Sequence, residues 1–281
     1  MIRYDQLVDG NNFISHFLKK GYPFIAGKIG VTELNLLQLK LSPAYSHGFN
    51  RLKHEAENIA GLYPFNEESL RVFTDLFISS IKNTDLLCKW STQLPAFEKH
   101  VFNEIAPQAY PTPLQHLEPY FFDNPWTNYL EGKRVLVISP FSLSIENNYH
   151  NIEKIWNGKI KKNFELITMR HPFALPLQPS PFWKSSQDVY EHHIKSIRLQ
   201  KFDVALIGTG HTSMLYAYEC KKLGKAAIHL GGATQILFGI KGQRWKDIPE
   251  FQKMFNEHWT EPYSVETPTN KQLCEGGCYW A

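Results

Sequence analysis

Short runs of apolar residues alternate along the chain with segments in which apolar positions have a helical spacing. Runs at 23–26, 134–138, 164–168, 202–207 and 225–230 have the length of strands, and the continuous runs suit strands buried on both faces. Most of them lead into a glycine or proline turn and then into a helical segment. This alternation predicts an α/β fold with a mostly parallel sheet, flanked by helices and joined by right-handed crossovers.

Two of the predicted helices have clear start signals. One follows Asn66, a good N-cap residue, because apolar residues recur with helical spacing from Leu70 to Ile81. The other follows the glycine turn at 27–30, where Thr32 is the expected cap. The apolar face of this second helix is expected to contain Leu34, Leu37 and Leu41.

Three further helices are predicted after the middle of the chain. The first follows Phe141 and continues to about Trp156, and the second contains Tyr190 and Ile197. The third covers residues 213–223, and Gly224 is expected to end it. Each of these helices separates two predicted strands.

Five prolines between Pro107 and Pro125 interrupt this pattern. They deny the segment a long helix and predict a connecting segment or a sheet edge. We therefore place a boundary between two lobes here. Residues 1–115 form an N-terminal α/β lobe with the glycine turn and Glu33, and residues 116–281 form a nucleotide-binding lobe. The sequence leaves open that the two form one compact catalytic unit.

Composition and charge exclude several classes of protein. The chain has 281 residues, and its net charge of +3 is too small for a typical nucleic-acid-binding protein. No stretch approaches the roughly 20 apolar residues of a membrane-spanning helix, and the first residues lack the apolar core of a secretion signal. We expect a cytoplasmic protein. Its four cysteines are too few for a disulfide framework and are expected to be reduced thiols.

Four loops that follow predicted strands are candidates for ligand binding, at 27–33, 139–141, 208–213 and 231–235. In a parallel sheet such loops gather at one edge, where helix N-termini favour anions and glycines let the backbone approach a diphosphate. The alternative that these glycines only permit tight turns stays open. The third glycine of a dinucleotide fingerprint and the P-loop motif are both missing, which argues against nicotinamide and P-loop chemistry. The glycines expected to bind substrate are Gly27, Gly30, Gly208, Gly210, Gly231 and Gly232.

Three titratable residues near these loops are candidates for catalysis. Glu33, inside the first turn of a helix, can bind a metal, bind a ribose hydroxyl or act as a base, or it can simply stabilise the helix N-terminus. His211 and His171 are candidates for proton transfer or phosphate binding, and His211 ranks higher because its glycine loop should open onto a cleft. No GxSxG elbow supports a hydrolase.

A glycine-punctuated basic turn, residues 239–245, adds candidates for binding. Lys241 and Arg244 are suited to neutralising a leaving diphosphate, and Trp245 is suited to stacking on a base or a sugar. A solvated basic loop is the alternative. We expect Gln235, at the end of the neighbouring glycine loop, to bind substrate as well.

Residues 25–34, with the sequence IAGKIGVTEL, resemble the N-terminal glycine and acid signature of GT-D type glycosyltransferases and their relatives in bacterial capsule and lipopolysaccharide gene clusters. Patches at 61–64, 132–141, 230–245 and 275–280 extend the resemblance over most of the chain. The segment from Gly231 to Trp245 is the most specific of them.

The resemblance implies a Rossmann-like sheet and transfer of a sugar from a nucleotide diphosphate sugar to a glycan or lipid-linked acceptor. The family pattern often has an Asp-x-Glu pair that holds a divalent metal, here Mn²⁺ or Mg²⁺. Only Glu33 is kept, with Val31 where the aspartate would fall, so the metal requirement stays open. Without a metal, Lys241, Arg244 and helix N-termini must offset the charge of the leaving group.

The sequence therefore supports a cytoplasmic glycosyltransferase, with peripheral attachment to the inner membrane left open. The diphosphate would lie over residues 208–211 and 231–232, and Glu33 would bind metal or activate the acceptor. Two alternatives stay open: a nucleoside or sugar-phosphate processing enzyme, and a non-catalytic sugar-nucleotide-binding subunit. Assembly into a homo-oligomer is also left open.

Overall fold

The computed structural model describes residues 9–42, 49–90 and 95–280. Its centre is one seven-stranded sheet in which every paired strand is parallel, in the order β3-β2-β1-β7-β6-β4-β5. The predicted α/β fold with a Rossmann-like parallel sheet is confirmed. The strands are β1 (Ile25–Lys28), β2 (Leu86–Lys89), β3 (Tyr110–Pro113), β4 (Arg134–Ser139), β5 (Glu165–Arg170), β6 (Val204–Ile207) and β7 (Ala226–His229).

Helices cover both faces of this sheet. Two of them continue into π-helical turns, Glu55–Ala60 after α3 and Val101–Ile105 after α5. The helices are α1 (Gly10–Lys20), α2 (Val31–Leu41), α3 (Phe49–His54), α4 (Glu67–Lys82), α5 (Ala96–His100), α6 (Ser142–Tyr149), α7 (Ile152–Ile155), α8 (Ser186–Leu199), α9 (Ser213–Lys222), α10 (Ala233–Leu237), α11 (Gln243–Lys246) and α12 (Pro249–Gln252). In the described part of the chain, no helix has both the length and the apolar character needed to cross a bilayer.

The two faces of the sheet bury two separate hydrophobic clusters. Along β4, Val135 and Val137 point into one cluster with α1 and α6, while Leu136 and Ile138 point into the other with α2, α4, α8 and α9. All four side chains are fully buried. Continuous apolar runs are therefore required here, because alternate residues of a strand face opposite sides of a sheet covered twice.

The start of α4 confirms the prediction made from Asn66. The Asn66 side chain accepts a hydrogen bond from the backbone N–H of Ser69 at 2.9 Å, and the Ser69 hydroxyl accepts one from the backbone N–H of Asn66 at 3.0 Å. This reciprocal pair satisfies two donors at the helix start. The helix through Tyr190 and Ile197 is confirmed as α8, and the helix at 213–223 is confirmed as α9.

Three details of the predicted helices are wrong. Helix α2 begins two residues earlier than expected, with Gly30 as N-cap, and Thr32 lies inside its first turn without capping it. Its buried face also differs, since Leu41 is exposed while Leu36 and Leu39 are buried, because tertiary packing selects a different stripe from the one the spacing favours. The helix expected from 141 to 156 is interrupted and becomes α6 and α7.

The proline-rich segment forms an edge of the sheet, as expected. Strand β3 contains Pro111 and Pro113 and, among the described strands, pairs with β2 alone. On the other side of β2, strand β1 lies directly beside β7, with Ala26 opposite Ile228. Strands from both predicted lobes thus share one sheet, and the division at residue 115 stays a prediction.

Strand order determines where a crevice opens. From β4 the chain crosses to β5 on one side, whereas from β6 it crosses to β7 on the other, and β4 and β6 are neighbours. Connections that leave adjacent strands in opposite directions create a crevice at the carboxyl ends, which is where parallel sheets bind ligands. The carboxyl ends of β1 and β7 lie next in the same row.

Candidate functional site

A cavity of about 570 Å³ lies at this carboxyl edge. Its lining follows the ends of five strands: Lys28 of β1, Ser139 of β4, His171 after β5, residues 208–212 after β6 and Gly231 after β7. The C-terminal segment, residues 274–280, completes the wall with Cys274, Glu275, Tyr279 and Trp280. The volume is within the range typical of small-molecule sites.

Most residues predicted to form a site lie in this one cavity, although they are far apart in the sequence. The structure therefore brings together the glycine loops, one candidate base, one carboxylate and one cation. The predicted residues that line it are Gly30, Glu33, Gly208, Gly210, His211, Gly231, Gly232, Gln235 and Arg244.

Three predicted residues do not line the cavity. Gly27 lies inside β1 and packs against α9. The ammonium group of Lys241 lies 5.8 Å from the ring centroid of Phe255, away from the lining. Trp245 is buried in the hydrophobic cluster that contains Val135 and Val137. Its large apolar ring is therefore removed from water rather than presented to a sugar.

Gly208 allows two strand-end loops to touch. A Cβ built on Gly208 would lie 2.6 Å from the carbonyl oxygen of Gly231 and 2.8 Å from Oγ1 of Thr234. Any side chain would push the loop after β6 away from the loop after β7. The glycine is thus a packing requirement that also leaves the backbone of both loops facing the cavity.

His211 is held in one tautomer. It is buried, and its Nδ1 lies 2.8 Å from the carbonyl oxygen of Ala60. A carbonyl oxygen only accepts, so Nδ1 carries the hydrogen and the neutral ring has its lone pair on Nε2. Burial lowers the pKa of His211 to about 4, so the ring is neutral near pH 7. Among the described residues, none is hydrogen-bonded to Nε2.

The loop around His211 is fixed by Gly210. This glycine has φ +62°, and a Cβ on it would lie 2.5 Å from the carbonyl oxygen of Ala60. The same carbonyl therefore accepts the imidazole hydrogen bond and excludes any side chain at Gly210. Glycine is required here for both conformation and space.

Two further histidines line the cavity as neutral rings. His171 donates from Nδ1 to the carbonyl oxygen of Pro172 at 2.7 Å, and its Nε2 lies 3.3 Å from the hydroxyl of Tyr216. Burial holds the pKa of His171 well below its usual value and lowers the pKa of His229 to about 3. Sequence reasoning missed His229, because a histidine inside an apolar strand looks like a core residue.

Glu33 lies half-buried in the lining. Its carboxylate turns back over Gly30, close enough that a Cβ on Gly30 would overlap Oε2. Burial raises the pKa of the Glu33 carboxyl group, and Lys28 opposes this by favouring the charged form. Because Gly30 has no side chain, the Glu33 carboxylate can occupy the space above it.

Lys28 is the cationic residue that sequence reasoning missed. It ends β1 in the glycine segment 27–30, and this position beside a glycine turn was the available signal. Its ammonium group lies 5.0 Å from the ring centroid of Trp90. No described residue forms an ion pair or hydrogen bond with it. Burial lowers the pKa of Lys28, while Glu118 and Glu33 partly compensate at longer range.

Arg244, by contrast, is held by partners in the C-terminal segment. Its guanidinium forms an ion pair with Glu275 and donates a hydrogen bond to the Tyr279 hydroxyl at 3.0 Å. It also lies 4.7 Å from the centroid of the Tyr279 ring. Arg244 thus lies in the cavity wall with its side chain held in place, and Glu275 already balances most of its positive charge.

Gln235 has a structural task in this wall. Its side-chain amide donates to the carbonyl oxygens of Lys241 at 3.0 Å and of Tyr279 at 2.8 Å. These bonds join the basic turn to the C-terminal segment. The amide hydrogens of Gln235 are therefore committed to protein rather than available to a ligand.

The residues that the structure describes do not fit a divalent cation held by the protein. Within residues 9–42, 49–90 and 95–280, no group of three or more His, Cys, Asp or Glu side chains is placed to bind a metal ion. Val31, two positions before Glu33, is an exposed apolar residue that offers no ligand. Glu33 has the Lys28 cation near it instead of a second carboxylate.

No family model and no curated protein matches the chain. Among solved structures, a protein of the highly conserved domain of unknown function 1792, described as having a distinct glycosyltransferase fold, is 14% identical, with a TM-score of 0.39 over 90% of this chain and 96% of that chain. A glycosyltransferase of the same domain type from Streptococcus sanguinis is 12% identical, with a TM-score of 0.41 over 92% and 95%. The function proposed below rests on the cavity itself.

Proposed function

We propose that the protein is a glycosyltransferase that moves a sugar from a nucleotide diphosphate sugar to a surface-polysaccharide acceptor. The observation that supports it is the meeting of the glycine loops after β6 and β7 with neutral His211 in one cavity. Backbone loops of this kind suit a diphosphate, and a neutral imidazole suits removal of a proton from an acceptor hydroxyl. The cytoplasmic location and the capsule or lipopolysaccharide acceptor also belong to the proposal: the first comes from the apolar pattern of the sequence and the second from the sequence resemblance.

The donor would be bound through its diphosphate. Its oxygens would lie over residues 208–211 and 231–232, next to the start of α9, where backbone N–H groups favour negative charge. Arg244 would contribute a further cation from the wall. These groups are fixed before the reaction, so charge that develops on the leaving diphosphate is stabilised without rearrangement.

Transfer would then need one proton acceptor. As the acceptor oxygen bonds to the anomeric carbon, the bond from that carbon to the diphosphate oxygen breaks and its electron pair leaves with the nucleoside diphosphate. The acceptor hydroxyl proton passes to Nε2 of His211. Glu33 would orient the acceptor through its carboxylate. Burial raises the pKa of this group and Lys28 lowers it.

A panel of nucleotide sugars tests this function. Each is incubated with the full chain, with EDTA and with Mn²⁺, and thermal stabilisation and release of nucleoside diphosphate are measured. We expect one donor to raise the melting temperature, because ligands that bind only the folded state stabilise it. No stabilisation and no release with any donor in either condition would overturn the proposal.

The lack of a second acid at Val31 favours one alternative, a non-catalytic sugar-nucleotide-binding subunit. In that case wild type and Glu33→Gln would bind a donor equally and neither would release nucleoside diphosphate. The same assay identifies a nucleoside or sugar-phosphate processing enzyme, since it would release free base or inorganic phosphate.

A further inference from the structure

The position of Lys28 brings its charge to the diphosphate loops. A Cβ on Gly231 would lie 3.3 Å from Nζ of Lys28, so the ammonium group lies beside the backbone of the loop after β7. The Trp90 ring covers another side of this group at 5.0 Å. Lys28 therefore enters the cavity between an aromatic face and a glycine backbone.

No carboxylate of the described residues is in direct contact with this ammonium group. The Glu118 carboxylate accepts a hydrogen bond from the Tyr120 hydroxyl, and the Glu33 carboxylate turns back over Gly30. Neither is in ion-pair contact with Lys28 among the described residues. An ammonium group that is partly removed from water without a partner is unfavourable, and an anion from outside the protein would relieve that cost.

We infer that the Lys28 ammonium group binds the donor diphosphate directly and that this binding needs no divalent cation. The inference rests on the proposed function, because it concerns the same donor site. A lysine is a compact point charge that suits phosphate oxygens. Lys28 would also repel a divalent cation placed beside Glu33, where the described part of the chain offers no group of metal ligands to hold it.

Calorimetric titration of the full chain with inorganic diphosphate and with UDP tests the inference. Wild type is expected to bind with the same affinity in EDTA and in Mn²⁺. Lys28→Met should weaken binding at least tenfold in both conditions, since it removes a charged hydrogen-bond donor and keeps the apolar stem. Lys162→Met is the matched control, because Lys162 also lies over an aromatic ring, 5.8 Å from the centroid of Tyr149, outside the cavity lining.

Binding that requires Mn²⁺, or binding that Lys28→Met leaves unchanged, would overturn the inference. The wild-type comparison stands even if the variant does not fold. Sugar transfer that depends on a metal would support the proposed function and contradict the inference. The opposite result is diphosphate binding without metal that depends on Lys28, with no sugar transfer from any donor. It would support the inference and contradict the proposed function.

Discussion

The Nδ1 atom of His211 lies 2.8 Å from the carbonyl oxygen of Ala60, a residue 151 positions earlier in the chain. This bond joins the loop after β6 to the end of the π-helical turn Glu55–Ala60. It fixes the ring so that Nε2 is the acceptor atom. The orientation of the candidate base thus depends on a backbone group outside its own loop.

Replacing this ring tests its role in proton transfer. In His211→Asn the side-chain amide can still donate to Ala60, but the Nε2 lone pair is lost. We expect sugar transfer to slow by roughly 100-fold or more, as is typical for removal of a general base, with donor affinity nearly unchanged. Steady-state kinetics and donor titration measure the two effects. A variant that transfers sugar at the wild-type rate would show that another group takes the proton.

Stability should fall in mild acid because of the same ring. The pKa of His211 is lowered in the folded state to about 4 from 6.5, so the unfolded chain binds the proton more readily. Below about pH 6.5 the folded state loses stability, and His211 accounts for about 2 kcal/mol of the loss between about pH 7 and about pH 5, with His171 and His229 adding to it. Urea unfolding at both pH values measures this loss. It should be smaller in His211→Asn, and an equal loss in both proteins would contradict the assignment.

Removing the charge of Lys28 should make the protein more stable. Burial lowers the pKa of Lys28 below 10.5, so its charge disfavours the folded state at neutral pH. We expect Lys28→Met to increase the free energy of unfolding by about 1 kcal/mol near pH 7. This gain should shrink as the pH rises toward 10.5, where the unfolded chain also loses the proton. Urea unfolding across this range measures it, and a less stable variant would contradict the account.

Gly208→Ala should disturb the contact between the two diphosphate loops. Its Cβ would lie 2.6 Å from the backbone oxygen of Gly231, so the loops must separate. We expect a loss of about 1–3 kcal/mol of stability and weaker donor binding, measured by urea unfolding and titration. Thr234→Ala should not rescue the variant, because the clash with the Gly231 carbonyl remains. Rescue would place the conflict at the side chain of Thr234 instead.

The sequence predicts local structure well where one interaction dominates. Apolar runs such as 134–138 locate strands buried on both faces, and Asn66 locates the start of a helix. The glycine loops after β6 and β7 are also recognisable, because glycine has few roles at a strand end. These signals are enough to predict a parallel sheet with a ligand cavity at its carboxyl edge.

The features that the sequence does not predict depend on contacts between residues that are far apart in the chain. The partner of His211 is a backbone carbonyl, which has no residue-type signature, and the partners of Arg244 are Glu275 and Tyr279 in a distant segment. Lys28 is distinctive because no described residue forms an ion pair or a hydrogen bond with its ammonium group, which only the folded structure reveals. Trp245 looked like a stacking residue, but its ring is buried in the hydrophobic cluster.

The prolines of β3 have a consequence for how these molecules behave in concentrated solution. The backbone N–H of Tyr110 bonds to the carbonyl oxygen of Asp85 at the β2 side, and the alternate positions, Pro111 and Pro113, present their nitrogens to the outer edge. Proline nitrogen carries no hydrogen, so a foreign strand finds missing donors there. This border of the sheet is thereby protected against strand-by-strand aggregation.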